Sequence, residues 1–484
     1  MALEDIRSER LAKLAKLKEQ GIDPYPARAR RTHSGDEFLA NHASLEANHE
    51  AVTLAGRVMS VREHGGSVFI DLFDGTARVQ SFLQKDVLGE EAFQLFSDTV
   101  DTGDFVEITG TAFTTKRGQP SLSATSWRML TKSLLPIPDE WFGIKDEDER
   151  YRKRYLDILL QKELAERLVR RSKFWNVIRS FLLERGFIEV ETPVLETTTG
   201  GAEARPFVTH HNALDIGVFL RISVGELWQK RLMVAGLPKT FEIGRVFRNE
   251  GMSPEHAQDY TAVEFYEAYK DYEAGMEMIT ELYRRIADEV YGTRKFSIKD
   301  FEIDLDQDWQ RYDYCALMQK EYGLDPLDEA ADWAGVLKEC TISIEEGANR
   351  ERLVDTAWKQ IRKTLGGPGF LVNVPVFMEP LAKKSAADPR VVERFQVVLA
   401  GSENGKGFSE LNDPQDQAER FAHQAELRAA GDEEAQMPDS DFVEALEYGM
   451  PPAFGFGVSE RLFSFLEGVS IREAQAFPLM RPRD

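Results

Sequence analysis

The chain has 484 residues, more than a single hydrophobic core of about 250–300 residues accommodates, so we expect at least two domains. Its 42% hydrophobic and 30% charged residues, with 30 Phe, 13 Tyr and 7 Trp, exclude an intrinsically disordered chain. The formal net charge of −23 at pH 7 argues against a broad basic surface for non-specific nucleic-acid binding, although residues 1–135, with 16 Lys/Arg and 19 Asp/Glu, are close to neutral.

The first predicted element is a helix over residues 3–20, where leucines recur at helical spacing among charged side chains. We expect residues 1–50 to form a helical extension that docks on the rest of the chain. The segment lacks the apolar stretch of a secretory signal, and no run elsewhere reaches the ~18–20 apolar residues of a membrane span. With Cys315 and Cys340 as its cysteines, the sequence excludes a disulfide framework and a cysteine-based zinc site. We expect a cytoplasmic protein without a membrane partner.

Residues 51–135 contain short segments in which apolar and polar residues alternate, as in strands. The predicted strands are Val52–Arg62, Ser67–Phe73, Arg78–Leu83, Asp104–Phe113 and Leu122–Leu130, with a helix possible at Val87–Ser97. Five short strands with a helix after the third match the layout of an OB-fold β-barrel.

One face of the second predicted strand combines aromatic and charged side chains. Phe69, Asp71 and Phe73 share this face by alternation, as a surface that stacks nucleic-acid bases requires. The same aromatic side chains could instead cover the barrel or an interdomain contact. The pattern alone leaves both interpretations open.

Residues 136–150 contain two prolines without periodicity and are interpreted as a linker. Residues 151–484 mix helices and strands without regular βαβ alternation, which predicts an α+β catalytic domain with an antiparallel sheet. Its predicted elements are a helix at Lys162–Arg185, strands at Phe187–Glu191, Thr240–Arg248, Thr261–Tyr266 and Phe395–Gly401, and helices at Asp271–Val290 and Pro414–Ala430. Residues 300–365 are polar and helical and are interpreted as an insertion.

Four motifs in this second region combine arginines, glycines and carboxylates. They are FEIGRVFRNEG (Phe241–Gly251), DYTAVEFYEAY (Asp259–Tyr269), GSENGKGFSELND (Gly401–Asp413) and GFGVSERLFSF (Gly455–Phe465). A single surface arginine is usually part of a weak ion pair. Two arginines, Arg248 and Arg461, beside glycines and several acids favour a site for a polyanion together with a cation.

These motifs and others closely resemble the class II lysyl-tRNA synthetases of bacterial type along the whole chain. The further matching segments are RYLDILL (Arg154–Leu160), GGAEARPFVTHHNALD (Gly200–Asp215), FRNEGMSPEH (Phe247–His256), DQAERF (Asp416–Phe421), EALEYGMPP (Glu444–Pro452) and MRP (Met480–Pro482). The resemblance implies a homodimeric enzyme that uses ATP, with Mg²⁺, to activate L-lysine as lysyl-adenylate. The lysyl group would then pass to the terminal ribose of tRNA(Lys).

The resemblance also implies roles for individual residues at the ATP end of the site. Arg248 would hold the α-phosphate and the substrate carboxylate, and Arg461 the γ-phosphate. Planar guanidinium groups suit such phosphate contacts. The other implied nucleotide-binding residues are Glu250, His256, Tyr260 and Glu403.

At the amino-acid end, the resemblance places Glu264, Tyr266 and Glu410 around the side-chain ammonium. A buried ammonium requires opposite charge and hydrogen-bond acceptors. Paired acids therefore argue against the related aspartyl- and asparaginyl-tRNA synthetases. The other implied lysine-binding residues are Gly201, Glu226, Lys406 and Phe408, of which Gly201 and Glu226 would take the α-ammonium.

The resemblance further assigns Phe69 to base stacking in the anticodon, with Arg62 and Gln80 as polar readers. Metal binding would involve Glu403 and position 396, where Gln396 replaces a usual carboxylate. Lys406 replaces a usual asparagine. These departures leave two expectations open: fewer or weaker protein-bound magnesium ions, with Lys406 partly compensating, or neighbouring carboxylates or the phosphates alone in place of the missing acid. The alternatives are a synthetase-like protein with altered amino-acid or acceptor specificity, such as a protein lysylase, and a regulatory protein that has lost ligation.

Overall fold

The computed structural model describes residues 3–138, 143–202, 204–249, 251, 253–345, 347–432 and 435–483. Contacts divide the chain into two compact units, residues 1–160 and 161–484. In the described ranges, no helix is long and apolar enough to cross a membrane.

The first unit contains a β-barrel and the helices around it. Its elements are α1 (Leu3–Glu19), α2 (Gly35–Ala47), β1 (Ala51–His64), β2 (Ser67–Phe73), β3 (Arg78–Gln84), α3 (Lys85–Leu88), α4 (Glu90–Thr99), β4 (Phe105–Thr114), β5 (Pro120–Thr131), α5 (Glu147–Arg152) and α6 (Arg154–Leu160). The strands close into a barrel in the order β1-β2-β3-β5-β4, which confirms the predicted OB fold.

The barrel is stabilised by an apolar core to which the N-terminal helices contribute. Leu17 of α1 and Phe38 of α2 are fully buried in the same cluster as the inward-facing strand residues. Arg10 of α1 donates to the Ser133 hydroxyl at 2.6 Å. The register between β4 and β5 shifts at Gly110, and the backbones approach so closely there that a side chain at Gly110 would lie 1.9 Å from the Ser123 carbonyl oxygen.

The second unit is built on a large mixed sheet. Its elements are α7 (Lys162–Glu184), β6 (Ile188–Glu189), β7 (Leu195–Glu196), β8 (Val208–His211), β9 (Ile216–Leu220), α8 (Glu226–Val234), β10 (Lys239–Phe247), β11 (Asp259–Ala268), α9 (Tyr272–Ile286), a π-helical turn (Ala287–Tyr291), β12 (Lys295–Ile298), β13 (Phe301–Asp304), β14 (Gln310–Asp313), α10 (Tyr314–Tyr322), α11 (Trp333–Glu339), α12 (Arg350–Arg362), β15 (Gly369–Val372), a 3₁₀ turn (Val376–Met378), β16 (Arg394–Leu399), β17 (Ser402–Ser409), α13 (Pro414–Ala429), α14 (Ser440–Glu447), β18 (Ala453–Ser459), α15 (Arg461–Leu466) and α16 (Ile471–Ala474).

The main sheet has the strand order β14-β15-β16-β17-β18-β11-β10-β6. Pairing is antiparallel from β15 to β10, as predicted for the α+β body, and parallel at the two edges. The sheet separates two apolar cores because successive residues of a strand face opposite sides. Phe265 of β11 packs into one core and the next residue, Tyr266, into the other. The edge strand β14 lies within the segment that the sequence analysis interprets as an insertion.

Candidate active site

The central strands of the main sheet place polar side chains in two rows that run across the strands. Each row contains one glycine of β18. Each row contains residues opposite one another on neighbouring strands, so its side chains point to the same face. One row is Glu242, Glu264, Gly457, Lys406 and Gln396, and the other is Thr240, Tyr266, Gly455, Phe408 and Arg394. Because the glycines on β18 have no side chains, the middle of this face is open.

A cavity of about 390 Å³ lies over this open face. It brings together the residues that the sequence analysis assigns to ATP and lysine, apart from Glu250, which lies outside the described residues. Those that line it are Gly201, Glu226, Arg248, His256, Tyr260, Glu264, Tyr266, Gln396, Glu403, Lys406, Phe408, Glu410 and Arg461.

Glu264 marks the amino-acid end of the cavity. Its carboxylate accepts hydrogen bonds from the Val224 backbone N–H at 2.8 Å and from the Tyr266 hydroxyl at 2.9 Å. Burial, followed by the negative charge of Glu226, raises the pKa of Glu264 to about 7. A cation bound here would reverse that effect, because opposite charge favours the ionised carboxyl.

Glu410 lies at the same end and is fully buried. Its Oε2 atom forms an ion pair with Lys230 at 2.6 Å, and Lys230 also contacts Glu226 Oε1 at 2.8 Å. Burial raises the pKa of Glu410 to about 8, while Lys230 opposes the rise. Sequence reasoning missed Lys230, although its position four residues after Glu226 in a helix places both side chains on one face.

Arg248, directly after β10, lies at the other end of the cavity, which we call the nucleotide end; it also contains His256, Tyr260, Glu403 and Arg461. Its Nε atom donates to the Ile222 carbonyl oxygen at 3.1 Å, and its guanidinium carbon lies 5.7 Å from the centre of the Tyr260 ring. His256 contacts the Ser253 hydroxyl through Nδ1 at 2.7 Å. Burial and the nearby charge of Arg461 lower the pKa of His256, which favours the uncharged imidazole. An aromatic ring beside an arginine, with an imidazole in the same cavity, suits a stacked base.

Arg461 begins α15 and forms an ion pair with Glu255. Its buried Nε–H has no hydrogen-bond partner among the described residues. The preceding residue, Glu460, is completely buried and is held by Arg171 of α7 and by Gln475, whose Nε2 donates to it at 2.6 Å. These contacts fix the start of α15 and therefore the position of the Arg461 guanidinium.

Glu403 has both carboxylate oxygens engaged. Oε1 accepts from Trp358 Nε1 at 2.6 Å, and Oε2 is 3.0 Å from Arg362. Burial opposes its ionisation, yet the charge of Arg362 keeps the pKa of Glu403 below its usual value. The Gln396 amide oxygen accepts from Arg394. Magnesium prefers free oxygen ligands, so these residues do not fit a metal site built by the protein alone.

The surroundings of Gln396 also argue against a metal site built by the protein alone. Lys406, its partner on β17, lies 3.3 Å from both oxygens of Glu379, a cavity residue that sequence reasoning missed. Arg394 also pairs with Glu379, at 3.1 Å. Among the described residues, no group of three or more His, Cys, Asp or Glu side chains is arranged to hold a metal. The acids at this end of the cavity, Glu379 and Glu403, are already paired with basic side chains of the protein.

The predicted anticodon residues lie on one outer face of the barrel, in the first unit. Phe69 is half-buried, pairs across the strands with Arg62, and stacks on Phe82 with a ring-centre distance of 4.3 Å. Arg62 is exposed and lies 3.2 Å from Asp71. Gln80 is buried, and its amide oxygen accepts from the Ser121 hydroxyl at 3.1 Å, so Phe82 is more available to a ligand than Gln80. Alternation in the third predicted strand places Phe82 on the face of Gln80 and could have indicated it.

Two family models match the chain. The model described as tRNA synthetases class II (D, K and N) covers residues 146–481, and the model described as OB-fold nucleic acid binding domain covers residues 52–130. Both agree with the observed architecture.

Curated relatives match over nearly their full length. The lysine–tRNA ligases of Thermosipho africanus and Thermotoga maritima are each 41% identical to the chain, covering 99% of it and 97% of their own length. The lysine–tRNA ligase of Bacillus subtilis is 41% identical, covering 99% of the chain and 98% of its own length.

Proposed function

The chain belongs to the lysine–tRNA ligases of class II, and we propose that the cavity over the main sheet is where lysine and ATP react. The chain ligates lysine to tRNA, and ATP, lysine and tRNA are its substrates. Two acids at one end of the cavity, the half-buried Glu264 and the buried Glu410, carry the proposal for lysine. An aspartate or asparagine side chain would place negative or neutral groups against these carboxylates.

In the proposed arrangement, the lysine side-chain ammonium lies between Glu264, Tyr266 and Glu410, beside the ring of Phe408. The α-ammonium contacts Glu226 near the backbone of Gly201. A side chain at Gly201 would lie 2.9 Å from Glu226 Oε2, so the glycine supports a close approach of the substrate. The substrate carboxylate then faces Arg248.

The proposed first step joins the lysine carboxylate to the α-phosphorus of ATP. A carboxylate oxygen forms the new bond while the bond from the α-phosphorus to the bridging oxygen breaks, and pyrophosphate leaves. Arg248 neutralises charge on the α-phosphate and Arg461 on the γ-phosphate, while His256 and Tyr260 flank the adenine. The reaction requires positioning and charge stabilisation rather than a side-chain base.

The tRNA is proposed to present its anticodon to the outer face of the barrel. The half-buried ring of Phe69 offers a stacking surface that Phe82 extends, and exposed Arg62 offers a cation. Gln80 would act as a reader only through a rearrangement of its contact with Ser121. The lysyl carbonyl carbon then bonds to a hydroxyl oxygen of the terminal ribose of tRNA(Lys) while its bond to the adenylate phosphate oxygen breaks, and AMP leaves.

Members of the family use ATP with a divalent metal, and we propose Mg²⁺ bound mainly by the triphosphate oxygens. Glu403 is the carboxylate available to it if Arg362 turns toward a phosphate. Gln396 supplies a neutral oxygen, and Lys406 adds a positive charge beside the phosphates.

We also propose that the protein forms a homodimer in the cytoplasm. Large apolar side chains are exposed around α7 and the short strands that follow it. They are Val169, Leu183, Ile188, Val194, Leu195, Val208, Leu214 and Ile216, with Val169 and Val208 each 69% exposed. Such a concentration of apolar surface is typical of a subunit interface. Sedimentation at several concentrations tests the dimer.

Amino-acid-dependent exchange of pyrophosphate into ATP, measured with each of the twenty amino acids, tests the proposed function. Lysine should stimulate exchange far more than any other. If aspartate, asparagine or arginine stimulates it more, the assignment of the acidic end is wrong. If no amino acid stimulates it, the cavity does not activate amino acids.

A further inference from the structure

Lys230 is a buried cation directly behind the acids of the amino-acid end. Its side chain is 1% exposed, and its ammonium contacts Glu226 Oε1 at 2.8 Å and Glu410 Oε2 at 2.6 Å. The same ammonium lies 5.3 Å from the centre of the Phe408 ring and 5.8 Å from that of Tyr266. Lys230 therefore bridges Glu226, proposed to contact the α-ammonium of lysine, to Glu410, proposed to contact the side-chain ammonium.

Each bridged carboxylate has its second oxygen directed at a glycine of the cavity. A side chain at Gly201 would lie 2.9 Å from Glu226 Oε2, and one at Gly455 would lie 2.1 Å from Glu410 Oε1. Glu410 Oε1 has no hydrogen-bond partner among the described residues. Lys230 thus holds one oxygen of each acid and leaves the other facing open space.

With all three acids of this end ionised, their charges are balanced only when a dication is bound. Among the described residues here, Glu226, Glu264 and Glu410 provide three carboxylates against the single ammonium of Lys230. Lysine supplies two ammonium groups, which completes the neutralisation of three acids by three cations. Buried charges without partners are strongly unfavourable, so an amino acid with one cation leaves an acid that must take up a proton.

We propose that Lys230 is a positioning residue that determines specificity by setting the separation and the charge of Glu226 and Glu410. The proposal rests on the proposed function and deepens it. The fixed separation selects a diammonium amino acid with the length of lysine. Ornithine, one methylene shorter, cannot contact both free oxygens at once.

The charge of Lys230 should affect how lysine binding depends on pH. Charged or titratable groups facing this cluster come from α8, β11 and the segments after β10 and β17; they are Glu226, Glu264, Tyr266, Arg248 and Glu410. Without the ammonium of Lys230, the pKa of Glu410 rises further, because that charge opposes the rise caused by burial. Tight lysine binding should then require a higher pH.

The test compares Lys230→Met, Lys230→Arg and the control Lys239→Met by lysine- and ornithine-dependent pyrophosphate exchange between pH 6 and pH 9. Lys239 forms an ion pair with Glu267 at 2.8 Å on β11, away from the cavity lining. In Lys230→Met, we expect the KM for lysine to rise at least about 30-fold, the low end of the cost of truncating one partner of a buried charge pair. Its preference for lysine over ornithine should fall about tenfold or more, since one methylene distinguishes the two.

The pH at which lysine binding is half-lost should move upward in Lys230→Met, with the KM for ATP unchanged. Lys239→Met should behave as the wild type. Unchanged lysine KM, or lower stability with an unchanged lysine-to-ornithine ratio and pH profile, would overturn the proposal. If Lys230→Met does not fold, Lys230→Arg provides the test, because it keeps the charge but has a longer side chain. A lowered preference for lysine over ornithine in Lys230→Arg supports the proposal, and a wild-type preference overturns it. Loss of lysine-dependent exchange in the wild type would instead refute the proposed function.

Discussion

The two ends of the cavity differ in whether their charges already have partners. At the amino-acid end, buried acids outnumber the single ammonium of Lys230. At the nucleotide end, Arg461 is paired with Glu255, and Glu403 with Arg362. The first end gains directly when it binds a cation, whereas the second must exchange protein partners for phosphate oxygens. Selection of the amino acid therefore depends on desolvated charge, and nucleotide binding depends on exchange between ion pairs.

The largest expected effect comes from neutralising an acid at the amino-acid end. In Glu264→Gln or Glu410→Gln, the bound ammonium lacks a charged partner, which costs about 3 kcal/mol or more in a desolvated site. The kcat/KM for lysine in pyrophosphate exchange should fall about 100-fold or more.

Glu267→Gln provides the matched control for these variants. Glu267 is a buried acid on β11 that faces the opposite side of the sheet and pairs with Lys239. It should retain the lysine kinetics of the wild type. Equal losses in all three variants would show that the effect comes from general destabilisation of the protein.

A smaller effect is expected outside the cavity, on the barrel. Phe69→Ala should reduce aminoacylation of tRNA while sparing lysine-dependent exchange, because a lost base stack costs about 1–3 kcal/mol only when the anticodon is bound. Phe105→Ala removes another half-buried barrel ring, which lies under Arg57 at 4.3 Å, and serves as the control. Equal damage to both reactions by Phe69→Ala would identify Phe69 as part of the barrel core.

The smallest effect concerns the nucleotide end. A Gln396→Glu, Lys406→Asn double variant gains a carboxylate and loses a competing cation, so half-maximal exchange should occur at lower free magnesium. Because Lys406 is partly exposed, we expect the free energy of magnesium binding to change by about 1 kcal/mol or less. Titration of magnesium in both proteins measures the shift. Superimposable curves would remove position 396 from metal binding.

The alternation of side chains explains why much of the site could be predicted. Glu264 and Tyr266 are two residues apart on a strand, so their shared face follows from the sequence. The barrel strands were predicted within a few residues because their alternation and their glycines are local signals. The likeness of the motifs to a known family supplied the roles that periodicity could not.

Contacts between distant segments could not be predicted in this way. Glu379 follows a 3₁₀ turn and contacts Lys406, which lies 27 residues later, and nothing in the local pattern indicates that approach. The burial of Gln80 depends on Ser121 of another strand. The partners of Glu403 come from α12, inside the segment interpreted as an insertion.

Proton release on lysine binding tests most directly whether the amino-acid end recognises cations through acids that are protonated when it is empty. Burial raises the pKa of Glu264 to about 7 and that of Glu410 to about 8, so both carry protons for much of the time near pH 7. Bound lysine requires their ionised forms. Its affinity should therefore weaken as the pH falls from 8 to 6, by about tenfold per pH unit for each proton released. Calorimetric titration of the full chain with lysine at pH 7, in two buffers of different ionisation enthalpy, should show net proton release. Identical binding enthalpies in both buffers, with an affinity independent of pH, would contradict the account.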